Sequence, residues 1–300
     1  MIKIKHNLKI TLVIIGMFLV TQLIGLYVVG HYTNSGASLP YGMGVPAYDT
    51  QGTFYGSYLS SIVVAFVFAI IIFFLLSRFK LAVIMRIWFF FVVMIALGIT
   101  LTSFFPNIPH FSLIALIFVL PLAILKTYKH NLLVHNITEL FIYPGIAAVF
   151  VPLLNFWTMA FLVIILIPLY DMWAVWRSGL MQKMAKYQIN EVKVFGGFFV
   201  PYLSKKTRDK LKKIPKDEIK KIKVKAEVAI LGGGDVIFPI IATGVMMKYF
   251  GLLSGILTIA GALLGLSYLL FVAKKKKFYP AMPFISSGIL LGILVSWLFL

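Results

Sequence analysis

Cysteine is absent from the 300 residues. That excludes disulfides, thiolate metal sites and thiol nucleophiles. Charge is scarce: Asp, Glu, Lys and Arg make up 12%, about half of what a soluble globular chain carries. Acid is scarcer still, with 9 Asp and Glu against 28 Lys and Arg, for a net charge of +19. There is no H-E-x-x-H for a zinc site, and the five histidines are scattered. No internal repeat of the kind many transporters carry is visible. What the chain does have is apolar residues, 61% of the total, with a mean hydropathy of +0.99. They fall in runs of about twenty, the length that crosses a hydrocarbon core of ~30 Å as a helix. A water-soluble enzyme, a disordered chain and a coiled coil are excluded. The fold class is an all-α polytopic membrane protein.

Nine apolar stretches are long enough to span: 9–30, 54–77, 81–104, 108–125, 136–154, 156–176, 227–247, 251–273 and 279–299. Alternating sides along these nine places 27 of the 28 basic residues on one face, with Lys248 the exception. Positive residues stay cytoplasmic, so the N-terminus is expected inside and the C-terminus outside. The basic excess then reports topology and contact with anionic headgroups, not nucleic-acid binding. The first span reads as an uncleaved signal anchor. The chain divides into a six-span part (1–176), a basic cytoplasmic segment (177–226) and a three-span part (227–300). Within the basic segment, 191–195 and 221–228 alternate polar and apolar residues with period two, a strand pattern. A small β-hairpin at the membrane surface is expected before the seventh span. Gly251, Gly255, Gly261 and Gly265 read as small residues for packing along the eighth span.

The nine acids sort by position. Asp49, Glu191, Asp209, Asp217 and Glu218 lie in loops. Glu139 and Glu227 lie near predicted cytoplasmic ends, within reach of water. Asp171 and Asp235 sit deeper in apolar sequence, on the sixth and seventh spans. An intramembrane Asp costs about 2.5–3.5 kcal/mol on insertion scales, so it marks a candidate functional site. Two such carboxyls facing one gap cannot both ionise easily and titrate as a pair. One serves as base and the other as acid, which suits attack of water on an amide and implies a bell-shaped pH–rate profile. Gly232, three residues before Asp235, is expected on the same helical face. Gly233 and Gly234 leave the backbone bare, and three glycines weaken the helix start. Pro239 and Pro168 free backbone groups near the two acids, which is tolerated in a membrane only beside protein or a wet cavity. Tyr170 adds a hydroxyl beside Asp171. Pro280 and Pro283 disturb the first turn of the ninth span.

These three residue sets resemble the motifs of the presenilin and signal-peptide-peptidase family of intramembrane aspartyl proteases, in its archaeal or prokaryotic type. Tyr170-Asp171 is similar to the family's Y-D motif, Gly232-Gly233-Gly234-Asp235 to its G-x-G-D, and Pro280-Ala281-Met282 to its P-A-L, with Met for Leu. The resemblance implies a nine-helix presenilin-like fold and Asp171 and Asp235 as the catalytic pair. It also implies that transmembrane peptide or protein substrates dock on Tyr170, Gly232, Gly233, Gly234 and the Pro280, Ala281, Met282 segment. No cofactor or metal is implied. An unwound substrate is expected to add a strand beside the alternating run, next to Ile222 and Val224. The inferred orientation is that of presenilin and opposite to signal peptide peptidase.

The reading from another class is an ion- or proton-coupled transporter or channel, since paired Asp in broken helices also describes a cation path. Peptide-bond cleavage that depends on both acids separates the two.

Overall fold

The computed structural model describes residues 8–34, 37–43, 82–108, 110–129, 131–178, 196–202, 227–273 and 279–299, with isolated helical positions between 64 and 75. Eight long helices are formed among these residues: α1 (Leu8–Asn34), α2 (Ala82–Phe104), α3 (Phe111–Tyr128), α4 (Leu132–Phe150), α5 (156–178), α6 (Gly234–Phe250), α7 (Leu252–Val272) and α8 (Met282–Phe299). Seven stretches are long and apolar enough to cross a membrane. The helix α6 is shorter than these, at 17 residues. The predicted second span, 54–77, lies largely outside the described residues, so eight helices stand where nine were expected.

The helices are apolar on all sides. A face buried in the bundle and a face presented outward are both hydrophobic, the pattern of membrane spans. Phe18, Ile99, Ile240 and Ile285 fill the interior, while Trp88, Ile117, Leu264 and Leu298 point out of it. With little hydrophobic drive between helices in lipid, close backbone approach and polar links set the packing. A Cβ on Gly261 would collide with the Gly288 carbonyl, and one on Gly265 with the Phe284 carbonyl. These glycines are what let α7 and α8 lie against each other along their length. Gly255 instead faces Leu26 and Met247. Gly251 is a correction to the packing stripe: with φ 84° it forms the break between α6 and α7, a backbone conformation that Gly adopts without a steric penalty.

Polar links cross the bundle at several levels. Thr100 Oγ1 donates to the Phe141 carbonyl (2.6 Å) and Tyr32 to the Ile99 carbonyl (2.8 Å). Gln22 Nε2 on α1 donates to the Val236 carbonyl on α6 at 3.0 Å. Lys248, the one basic residue on the opposite side of the predicted topology, donates to the Pro152 carbonyl at 3.1 Å. It caps the turn that closes α4.

Strands β1 (Gly197–Tyr202) and β2 (Glu227–Gly232) pair antiparallel, from Gly197↔Gly232 to Tyr202↔Glu227. The hairpin before the seventh span is therefore present, with shifted boundaries. The 191–195 run and Ile222 and Val224 lie outside the described residues. The predicted seventh span began at 227, but 227–232 is strand and the helix starts at Gly234. The alternating side chains favour the strand, and the glycine run prevents the helix from extending back through it.

Replacing Gly261 by Ala places a methyl against the Gly288 backbone. We expect a loss of about 1–3 kcal/mol from overpacking, read as a lower unfolding midpoint in detergent. Gly16→Ala, where an added Cβ meets nothing within 4 Å, should leave the midpoint unchanged or raise it.

Candidate active site

The helix α5 is irregular where Asp171 is positioned. It passes from α-helix (Phe156–Met159) to π-helix (Ala160–Leu166), back to α-helix (Ile167–Trp173), and ends in a second π turn (Ala174–Ser178). Pro168 explains part of this. In the π register the Ile167 N–H bonds the Leu162 carbonyl, and the next donor in line, at residue 168, does not exist because Pro has no N–H. The Val163 carbonyl is thereby left without a helical partner. Ser286 Oγ on α8 donates to it at 2.6 Å. The freed group is met by protein, the condition for tolerating Pro in a membrane helix.

Asp171 is 5% exposed. Its Oδ2 accepts from the Met282 N–H at 3.0 Å, and the Ala281 N–H is directed at the same carboxyl. Ala281 is the residue that begins α8: its carbonyl accepts from Phe284 and Ile285. A helix normally receives an acceptor from its own N-cap side chain, and Ala supplies none. Asp171 fills that role from 111 residues away. The Pro280-Ala281-Met282 segment, expected as a substrate wall, is seen here as the seat of Asp171. Pro280 and Met282 are buried and Ala281 half-buried.

Asp235 lies in the first turn of α6, where the helix dipole favours an anion. It is half-buried. The Gly232 N–H is directed at its carboxyl, and a Cβ on Gly232 would lie 3.2 Å from Asp235 Oδ2. The expected proximity of Gly232 and Asp235 holds, but not on a shared helical face. Gly232 ends β2, and it reaches the acid through backbone. Pro239 lies four residues after Asp235, so the Asp235 carbonyl has no helical donor at that position.

The two carboxyls are close enough to repel one another electrostatically. Neither is held by a cation: among the described residues the ion pairs are Lys126–Glu139 and His135–Glu139. No group of three metal-ligating side chains occurs among the described residues. Tyr170 leans its ring against Trp173, centroids 6.2 Å apart.

A second polar cluster was not anticipated. Glu139, expected near water, is 1% exposed and bonded to the equally buried Lys126. Lys126 was counted as a surface charge, and its partner 13 residues away draws it inside. From the same face of α4, His135 Nε2 contacts the Gly197 carbonyl at 2.8 Å. Asn136 brackets Phe199, donating to its carbonyl (2.7 Å) and accepting from its N–H (2.9 Å). The outer edge of β1 is therefore closed by α4. Since Phe199 turns both its backbone groups toward Asn136, its partner Ile230 is in a non-hydrogen-bonded pair. The N–H and C=O of Val228, Ile230 and Gly232 then lie on the outer edge of β2. That edge ends at Asp235. Alternation on α4 at i, i+4 could have suggested His135–Glu139, but nothing in sequence joined them to a strand.

A family model for signal-peptide peptidase and presenilin aspartyl proteases matches residues 15–300. The chain belongs to this family. Two solved structures of a presenilin family intramembrane aspartate protease, in different crystal forms, share the fold. One aligns with TM-score 0.63 at 18% identity, covering 97% of this chain and 99% of that one. The other aligns with TM-score 0.60 at 18% identity, covering 98% of each. A search of curated protein sequences gives no match. The chain is therefore a presenilin-family integral membrane protein with a presenilin-like fold.

Within this fold, Ser286→Ala would leave the buried Val163 carbonyl unpaired. We expect a loss of about 1–3 kcal/mol, seen as a lower unfolding midpoint. Ser287→Ala removes an exposed hydroxyl bonded only to its own turn and should change it little.

Proposed function

We propose that Asp171 and Asp235 are the catalytic pair of an intramembrane aspartyl protease that cuts peptide bonds within transmembrane segments. The observation that carries this is that two carboxyls from separate helices lie within electrostatic range of each other, neither with a cation partner among the described residues, inside an apolar bundle of this family. The pair activates water: one carboxylate takes a proton from it while the other, as the acid, donates to the scissile carbonyl. Neither role needs a covalent intermediate or a metal. The N-terminus is cytoplasmic and the C-terminus extracytoplasmic in this reading, which places the hairpin and both acids toward the basic face, in the cell membrane of a prokaryote.

Cleavage requires a substrate helix to open, because a helical amide is shielded by its own turn. The outer edge of β2 supports the way this happens. It offers the backbone groups of Val228 and Ile230, which have no strand partner on that edge among the described residues, and ends where the Gly232 N–H meets Asp235. An extended substrate strand added there runs onto the catalytic carboxyls. Val228 and Ile230 are exposed, so such a strand also finds apolar side chains to pack on. The segment carrying Ile222 and Val224 leads into this edge.

No feature favours a transporter. The exchange of Asp171→Asn or Asp235→Asn should each abolish release of fragments from a labelled transmembrane peptide, a loss of at least about a thousandfold for a residue that carries the chemistry. Ion flux that depends on both acids without any peptide cleavage would overturn the protease reading. Ile230→Pro removes one N–H from the docking edge and leaves the β1 side of the pair intact. It should raise KM or lower kcat/KM about tenfold or more for a helical substrate; unchanged turnover would remove strand addition from the mechanism.

A further inference from the structure

Tyr143 lies on α4, four residues beyond Glu139 and eight beyond His135, so the three share one helical face. Its side chain is almost wholly enclosed, at 2% exposed. The ring packs edge-on against Phe198 of β1, centroids 5.7 Å apart at 84°. Among the described residues the hydroxyl makes no hydrogen bond of full geometry, and the acceptor it is directed at is the Glu139 carboxyl. It rests on the G-x-G-D turn: a Cβ on Gly233 would lie 2.9 Å from it. Glu139 and Asp235 are both in electrostatic range of it. Glu139 is itself fixed by Lys126.

A buried hydroxyl without a hydrogen bond of full geometry carries a desolvation cost that Phe at the same place would not. Packing against Phe198 and Gly233 needs only the ring. The hydroxyl is therefore a donor within range of two carboxyls, one clamped by an ion pair and the other on the glycine turn that the hydroxyl touches at Gly233. We propose that Tyr143 is a positioning residue for Asp235, linking the Lys126–Glu139 pair on α4 to the G-x-G-D turn and fixing where the Asp235 carboxyl sits when a substrate strand is in place. The inference rests on Asp235 being one of the two catalytic carboxyls.

The test compares full-length wild type, Tyr143→Phe, Tyr143→Leu and Asp235→Asn in lipid vesicles with a labelled transmembrane peptide. Tyr143→Phe should keep the unfolding midpoint, because no hydrogen bond of full geometry is lost and Glu139 keeps its Lys126 partner. It should keep KM within about twofold and lower kcat about ten- to a hundredfold, the range of one hydrogen bond to a charged group. Tyr143→Leu should lower the midpoint as well, and Phe should rescue that stability without rescuing kcat. The double variant Lys126→Met/Glu139→Gln, which leaves Tyr143 packed, should also lower kcat with KM unchanged. Wild-type kcat in Tyr143→Phe overturns the proposal. So does a Tyr143→Phe chain that unfolds, since the hydroxyl would then be structural. A wild type that cuts nothing, or an Asp235→Asn that still cuts, defeats the protease reading itself, and this inference falls with it.

Discussion

A carboxyl inside an apolar bundle must be held by something, because water is not there to do it. Here the holders are backbone N–H groups, not side chains. Asp171 sits on the first turn of α8, and Asp235 sits at the first turn of α6 beside the end of β2. A lysine or arginine partner would have stabilised either acid more strongly, but would also have tied it up. Helix N-termini provide partial positive charge while leaving oxygen lone pairs for water and for each other. The arrangement of the C-terminal three helices follows from that need. The helix α8 begins where Asp171 requires a donor, and the glycine contacts of α7 and α8 hold that beginning in place.

The same need explains the irregular backbone. The carbonyl freed before Asp171 is met by a side chain of another helix, and the start of α6 is tied to α1. Pro168 and the π turn release the Val163 carbonyl, and Ser286 on α8 takes it up. Gln22 on α1 reaches the Val236 carbonyl, one residue past Asp235. The irregular part of α5 and the start of α6 are thus each tied to a neighbouring helix. Those ties fix α5 against α8 and α6 against α1, with the two carboxyls in electrostatic range of each other.

Much of this was readable from the residues alone. Apolar runs gave the helices because a bilayer imposes one length on every span, and the two deep aspartates stood out because charge is so costly there. The strand pattern was visible because alternation with period two has no helical explanation. Its end was not. The run was assigned to a helix from 227, since Val228, Ile230 and Leu231 are as apolar as any span. The burial of Glu139 and Lys126 is hidden for a related reason. Each lies near a helix end and looks solvated, and only the tertiary pairing of α3 with α4 shows that they bury one another. The seat of Asp171 was equally hidden: Pro280-Ala281-Met282 contains no polar side chain. What it contributes is bare N–H groups, which no residue pattern advertises.

The two acids are held with unequal firmness. Asp171 is enclosed and anchored to a helix whose own packing is backbone to backbone, so moving it means moving α8. Asp235 is half-buried and follows three glycines, residues that permit backbone rotation at low cost. Its turn is steadied from outside, by the β-hairpin that α4 grips through His135 and Asn136. Anything that binds the free edge of β2 pulls on the strand whose last residue faces the Asp235 carboxyl. In the proposed mechanism, seating of an extended chain on that edge and placement of Asp235 are therefore one mechanical event, with Asp171 as the fixed side against which the other acid is aligned.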